Sequence, residues 1–196
     1  MKIVAKTDVG MVRESNQDSY TTGELPNGVA WAVVCDGMGG AAGGNVASST
    51  AVKVIAEQIT SSFRPGMSAN SIKNMMVSAI NAANISVYDI SCSNSELYGM
   101  GTTVVCAIVM EHIAYIAHAG DSRAYIVSHG ALTQLTRDHS VVQELVEHGK
   151  ITALEEKRHP NKNIITRAVG VSREILVDFC EQEMKDGDVL LLCTDG

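Results

Sequence analysis

The sequence predicts an α+β fold with helices packed on antiparallel sheets. Apolar strand patterns come first, two long segments of helical periodicity follow, and the pattern then returns to strands. The chain has 196 residues, 45% hydrophobic and 19% charged, which suits one domain over 1–196 with a buried core. No internal repeat, heptad or low-complexity tract interrupts it.

A first strand is expected over 2–9, followed by a polar loop over 10–17. Residues 19–22 suit a strand that turns at Pro26-Asn27-Gly28 into the apolar strand 29–35. Asn45 fits an N-cap, with Ala47, Ala51, Ile55 and Ile59 recurring at i+4 behind it. A second helix over 71–88 places Ile72, Met76, Ala79, Ala83 and Val87 on one face. After a loop over 91–99, the segments 102–110, 113–119 and 123–128 read as an antiparallel meander. Its connections are Glu111-His112 and Gly120-Asp121-Ser122. A short amphipathic helix fits 139–148, a surface excursion 149–166, and two last strands 175–183 and 188–194.

Lys and Arg total 15 against 22 Asp and Glu, a net charge of −7 that disfavours nucleic acid as a partner. The longest apolar runs, 29–35 and 104–110, fall far below the ~18 residues that span a bilayer. Charge at Lys2, Lys6 and Asp8 precedes any signal-peptide core, so a cytoplasmic protein without membrane attachment is expected. Five cysteines without a CxxC pair read as reduced, mostly buried thiols.

Three apolar strands run into a carboxylate: Val34-Cys35 into Asp36-Gly37, Ala119-Gly120 into Asp121, and Cys193-Thr194 into Asp195-Gly196. A carboxylate at the mouth of a buried strand is costly unless a cation or hydrogen bonds offset its desolvation. Several brought together repel one another, and a hard divalent cation resolves that conflict. All the donors are oxygens, which selects Mg²⁺ or Mn²⁺ over zinc or copper. The glycine cluster over 37–44 is spaced like a dinucleotide fingerprint. Asp36 would face the pyrophosphate, however, and two helices rather than one crossover precede the next strand. A metal-site loop accounts for it better. Arg13 stands beside Asn16-Gln17-Asp18; next to a dimetal site an arginine is a natural bidentate clamp for a phosphate dianion.

The segments Arg13-Glu14-Ser15-Asn16-Gln17-Asp18, Asp36-Gly37-Met38-Gly39-Gly40, Gly99-Met100-Gly101-Thr102-Thr103 and Gly120-Asp121-Ser122-Arg123 occur in that order. Leu135-Thr136-Arg137-Asp138-His139-Ser140, Ile164-Ile165-Thr166-Arg167-Ala168-Val169-Gly170 and Leu192-Cys193-Thr194-Asp195-Gly196 follow. Together they resemble the bacterial branch of the metal-dependent PPM, or type 2C, protein phosphatases. The resemblance implies a four-layer α-β-β-α sandwich of two antiparallel sheets flanked by helices, with two or three Mn²⁺ or Mg²⁺ ions at one end. It implies that Asp36 bridges two ions, that the Gly37 carbonyl binds the first and that Asp195 binds the second. Asp121 with Asp195 would form a third site, Asp18 would hold metal-bound water, and Arg13 would grip the phosphoryl oxygens. Residues 139–166 would form a flap.

The implied reaction is hydrolysis of phosphoserine and phosphothreonine on proteins by a water activated between two cations, opposing a serine/threonine kinase and acting on its substrates. Met38 stands where eukaryotic members often carry a histidine, Ala41 where many bacterial members do, and Asn45 where a glutamate is usual. His139 then reads either as a substitute general acid or as a structural histidine at a helix start. Family members continue past the last Asp-Gly with an Asp-Asn motif, so a chain ending at Gly196 is expected to lack the C-terminal part of the domain. A non-catalytic phosphoprotein-binding or regulatory domain of the same fold is the alternative.

Overall fold

In the computed structural model, β1 (Asp18–Leu25) and β2 (Val29–Met38) form an antiparallel hairpin in which Asp18 stands opposite Asp36. The structure describes residues 1–196 except Val12, Glu14 and Gly196, and for Ala41 and Ala42 the backbone alone. Asn27 closes the hairpin turn in the left-handed region at φ 65°. Two helices follow, α1 (Gly40–Ser62) and α2 (Ala69–Ser93). The chain then enters β3 (Gly101–Thr102), β4 (Val104–Met110) and β5 (Ile113–Ala119). Next come β6 (Arg123–Ser128) and β7 (Ala131–Gln134), then the short helices α3 (Val141–Glu147) and α4 (Ala153–Glu156). The last strands are β8 (Asp178–Glu183) and β9 (Val189–Cys193).

Every ladder is antiparallel. One sheet has the order β1-β2-β4-β5-β8 with β3 paired to β2, and the second is β7-β6-β9. Two antiparallel sheets with flanking helices are what the sandwich reading called for. The larger core joins the outer face of the first sheet to α1 and α2, through Val33, Cys35, Ile55, Ile59, Met76, Ile80 and Ile108. A smaller one fills the space between the sheets, with Val105, Ala107, Ile116 and Ala124 packed by Leu190 and Leu192. Alternate residues of β4 therefore belong to different cores, and both faces of that strand are buried. Among the described residues, no helix is long and apolar enough to cross a membrane.

Four expectations change. Residues 2–9 form no strand; apolar residues such as Ile3, Val4 and Ala5 favour burial, but a strand also needs a neighbouring backbone, and among the described residues none pairs with this segment. It lies instead along a groove of about 1090 Å³ lined by Trp31, Val34, Leu190 and Leu192. Helix α1 begins at Gly40 rather than at Asn45, with Gly39 as its cap at φ 107°. Glycine disfavours a helix by about 1 kcal/mol per residue, yet only glycine permits the approach made here. A Cβ on Gly44 would lie 2.9 Å from the Gly37 carbonyl carbon, and one on Gly39 would lie 2.7 Å from Met100 Cα. The meander ends at β5: β8 takes the next place in that sheet, and β6 crosses to the other. Finally, β7 is a strand that no periodicity announced, being exposed throughout.

Candidate active site

The crossing from β5 to β6 is where the site begins. Gly120 adopts φ 112°, a conformation L side chains rarely take, and a Cβ there would sit 2.7 Å from Thr103 Cβ. The turn thereby leaves Asp121 beside the end of β2, where Asp36 lies. Thr103 connects the two. Its Oγ1 accepts the Asp36 amide at 3.0 Å and pairs with Ser122 Oγ at 2.6 Å. Thr102 Oγ1 and the Thr103 amide both donate to the Asp36 carbonyl, at 2.8 and 2.9 Å. Breaking the strand between β3 and β4 at Thr103 is what frees these groups to hold Asp36.

Asp18 enters from the hairpin partner of β2 and accepts Thr194 Oγ1 at 3.1 Å, which ties it to the end of β9 just before Asp195. Asp18, Asp36, Asp121 and Asp195 thus converge from four places in the chain. The electrostatics record the convergence. Burial pushes the Asp36 carboxyl up to about 7, reinforced by the charges of Asp18, Asp195 and Asp121. Burial and the Asp195 charge push Asp121 up to about 6. Neighbouring Asp138 is gripped by Arg123, with Nε 2.9 Å from Oδ1 and Nη2 2.5 Å from Oδ2. Carboxylates converging so that Asp36 and Asp121 are raised form an all-oxygen donor set that a hard divalent cation fits.

Gly37 packs where no side chain could follow, since its Cβ would lie 2.1 Å from the Gly44 carbonyl oxygen. Its amide donates to the Gln17 carbonyl at 3.1 Å, which fastens the loop before Asp18 to the Asp36 strand. Arg13 is exposed on that loop. Among the described residues, no hydrogen bond or ion pair joins it to the four carboxylates. Glu14 and Gly196, which belong to two of the recognised segments, and the Ala41 side chain lie outside the described residues. Met38 reaches toward β3, its Cε 2.9 Å from where a Gly101 Cβ would be.

His139 is 3% exposed, and both ring nitrogens are engaged. Nδ1 accepts the Gly120 amide at 3.1 Å, and Nε2 lies 3.2 Å from Asp178 Oδ2. Of its two readings, the ring contacts fit the structural one. His118, His139 and Asp178 bring three donor atoms within 4.8 Å of one another. They do not form a cation site. The rings stack at 4.7 Å with an interplanar angle of 8°, so no ion can lie in both ring planes, and Arg167 Nη1 already bonds Asp178 Oδ1 at 2.7 Å. All five cysteines are free, and burial holds the Cys35 thiol far above its usual range and Cys106 at about 12, so neither is a nucleophile.

Sequence reasoning missed Thr102, Thr103, Ser122, Thr194 and Asp178. The three threonines and Ser122 stood inside the quoted segments, but only their tertiary contacts with Asp36, Asp18 and one another give them a role. Nothing local distinguishes Asp178.

Residues 12–196 match the family model for protein phosphatase 2C. A serine/threonine phosphatase stp from Listeria monocytogenes is 37% identical over 191 residues, which are 97% of this chain and 75% of that one. The S. agalactiae serine/threonine phosphatase structure superposes with a TM-score of 0.88 at 34% identity, covering 95% of this chain and 76% of its own. A PstP catalytic domain solved in complex with two manganese ions gives 0.79 at 31% identity, covering 97% and 75%.

Proposed function

The chain belongs to the protein phosphatase 2C family of serine/threonine phosphatases, and from that premise we propose that Asp18, Asp36, Asp121 and Asp195 form the metal centre that hydrolyses phosphoserine and phosphothreonine on proteins. The observation that carries this reading is the elevation of the Asp36 and Asp121 carboxyls, by burial first and then by neighbouring carboxylates, at a cluster of four acids to which no described arginine or lysine forms an ion pair. Asp36 is central, facing the other three carboxylates, and is the group able to bridge two ions. Asp195 would hold the second ion, Asp121 and Asp195 a third, Asp18 would hold solvent beside them, and the Gly37 carbonyl would hold the first ion. Mn²⁺ or Mg²⁺ bound there supplies a Lewis acid that polarises the phosphoryl group and makes water acidic enough to attack near neutral pH.

The chain's own groups do the rest. Arg13 holds the phosphoryl oxygens as a bidentate donor from its exposed loop, a geometry that a guanidinium matches and an ammonium does not. Thr103 keeps Asp36 and Asp121 at a fixed separation, which limits reorganisation when cations enter. Attack by a metal-activated water needs no covalent phosphoenzyme, so the cysteines take no part in the reaction. Residues 139–166 form the flap beside the site, and residues 1–196 all belong to one phosphatase domain. The partners are phosphorylated substrates of a serine/threonine kinase in the cytoplasm.

The test is release of phosphate from a phosphothreonine peptide by this chain over a Mn²⁺ series. We expect turnover that requires the metal and falls below a tenth in Asp36→Ala, a loss of at least about 1.4 kcal/mol in transition-state stabilisation. Metal-independent turnover, or an active Asp36→Ala, would overturn the assignment.

A further inference from the structure

We propose that Asp178 is a positioning residue for the phosphatase centre, acting through the tautomer of His139 on the turn that carries Asp121. Gly120 and His139 are joined twice: the Gly120 amide donates to His139 Nδ1 at 3.1 Å, and the His139 amide donates to the Gly120 carbonyl at 3.0 Å. The first bond requires a lone pair on Nδ1, so the ring proton must sit on Nε2. There it faces Asp178 Oδ2 at 3.2 Å, while Arg167 Nη1 donates to Asp178 Oδ1 at 2.7 Å and holds the carboxylate in place.

Arg167 Nη1 also lies 3.1 Å from His139 Nε2 and could donate to it if the ring proton moved to Nδ1. That arrangement would press two N–H groups together at Gly120 and leave a buried backbone donor unpaired, which is costly. The Asp178 carboxylate decides between the two by accepting only. Beneath the ring, His118 stacks at 4.7 Å and its Nε2 bonds the Arg137 carbonyl at 2.9 Å, which fixes the plane of His139. Burial favours the neutral form of both rings, as tautomer selection requires.

The turn is therefore clamped from two sides. Thr103 holds Ser122 toward Asp36, and His139 holds Gly120 toward Asp178. Asp121 lies between the two clamps. Residues that orient a ligand without touching the ion commonly change metal affinity ten- to a hundredfold when altered. The metal readout rests on Asp121 being a cation ligand; the tautomer readout does not.

Asp178→Asn is the informative substitution. Arg167 needs an acceptor and takes the amide oxygen, so the amide nitrogen faces His139 Nε2 and drives the proton to Nδ1, the logic by which Asn in place of Asp imposes the wrong tautomer in a catalytic triad. Long-range ¹H–¹⁵N spectra of the metal-free protein should show a pyridine-like Nδ1 in the wild type and a pyrrole-like Nδ1 in Asp178→Asn. The Gly120 amide should exchange faster in the variant. Calorimetric titration with Mn²⁺ alone should show about tenfold weaker binding, and Asp178→Glu, half-exposed and still acceptor-only, should restore both readouts.

A wild type with Nδ1 protonated overturns the proposal without any variant, as does an Asp178→Asn whose tautomer is unchanged. Unaltered Mn²⁺ binding in Asp178→Asn overturns it when Asp121→Asn weakens binding. If Asp121→Asn also leaves Mn²⁺ binding unaltered, the assignment of Asp121 falls too.

Discussion

Replacing Asp36 by Asn should make the metal-free protein more stable at neutral and alkaline pH and abolish its stabilisation by Mn²⁺. The carboxyl rises from 3.8 to about 7 on folding, first through burial and then through Asp18, Asp195 and Asp121. Each tenfold change in acidity is worth about 1.4 kcal/mol, so the full rise has a ceiling of ~4 kcal/mol. Asp36 is only partly buried and solvent screens its neighbours, which reduces the working figure to ~1–2 kcal/mol. The sign follows from a folded-state value above the unfolded one. Stability from the protonated group is complete below about pH 4 and is lost as pH rises through about 7. Asn stays neutral throughout, so its advantage should be absent near pH 4 and full at pH 8.

For a chain of this size ~1–2 kcal/mol corresponds to about 2–8 °C in Tm. Thermal unfolding by circular dichroism at pH 4 and pH 8, with chelator and with Mn²⁺, reads the effect directly. At a Mn²⁺ concentration a hundred times its Kd the wild type gains about 2.7 kcal/mol, so the order of stability should invert on adding metal. An Asp36→Asn protein less stable than wild type at pH 8 in chelator would refute the carboxylate-repulsion account. So would an advantage of equal size at both pH values.

Arg13→Ala should raise KM for a phosphothreonine peptide while leaving calorimetric Mn²⁺ affinity within twofold; a comparable loss of metal binding would remove Arg13 from the phosphate. Gly37→Ala should destabilise the fold by about 1–3 kcal/mol in urea titration, because its Cβ would lie 2.1 Å from the Gly44 carbonyl oxygen of a packed helix. Thr103→Val preserves shape but leaves the Asp36 amide and Ser122 Oγ without their shared partner, so a loss of about 1–3 kcal/mol is expected, with weaker Mn²⁺ binding. Unchanged Mn²⁺ affinity in a folded Thr103→Val would show that the Asp36–Asp121 separation is held by other means.

Much of this protein is decided locally and is legible in the chain. The apolar strands, the stripes of α1 and α2, and the Asp residues that end three strands follow from periodicity and from the cost of a carboxylate at a buried strand end. Those are properties of residues close in sequence. The order of the motif segments carried the family and hence the metal chemistry.

Partner choice is different, because it depends on residues far apart. No pattern in 113–128 says that β5 pairs with β8 while β6 leaves for the second sheet; that follows from Gly120 turning against Thr103. Residues 2–9 read as a strand but find no backbone neighbour among the described residues. The glycines before Asn45 look like a loop and become helix because Gly44 and Gly39 let the start of α1 approach the backbone at Gly37 and Met100. Asp178 is an ordinary acid in the sequence and acquires a role through a histidine and an arginine carried by other segments. The chain alone determined which residues must be buried and which must carry charge. Folding decided which charges meet, since hydrogen bonds and carboxylate repulsion act at distances of a few ångströms that only tertiary contact creates.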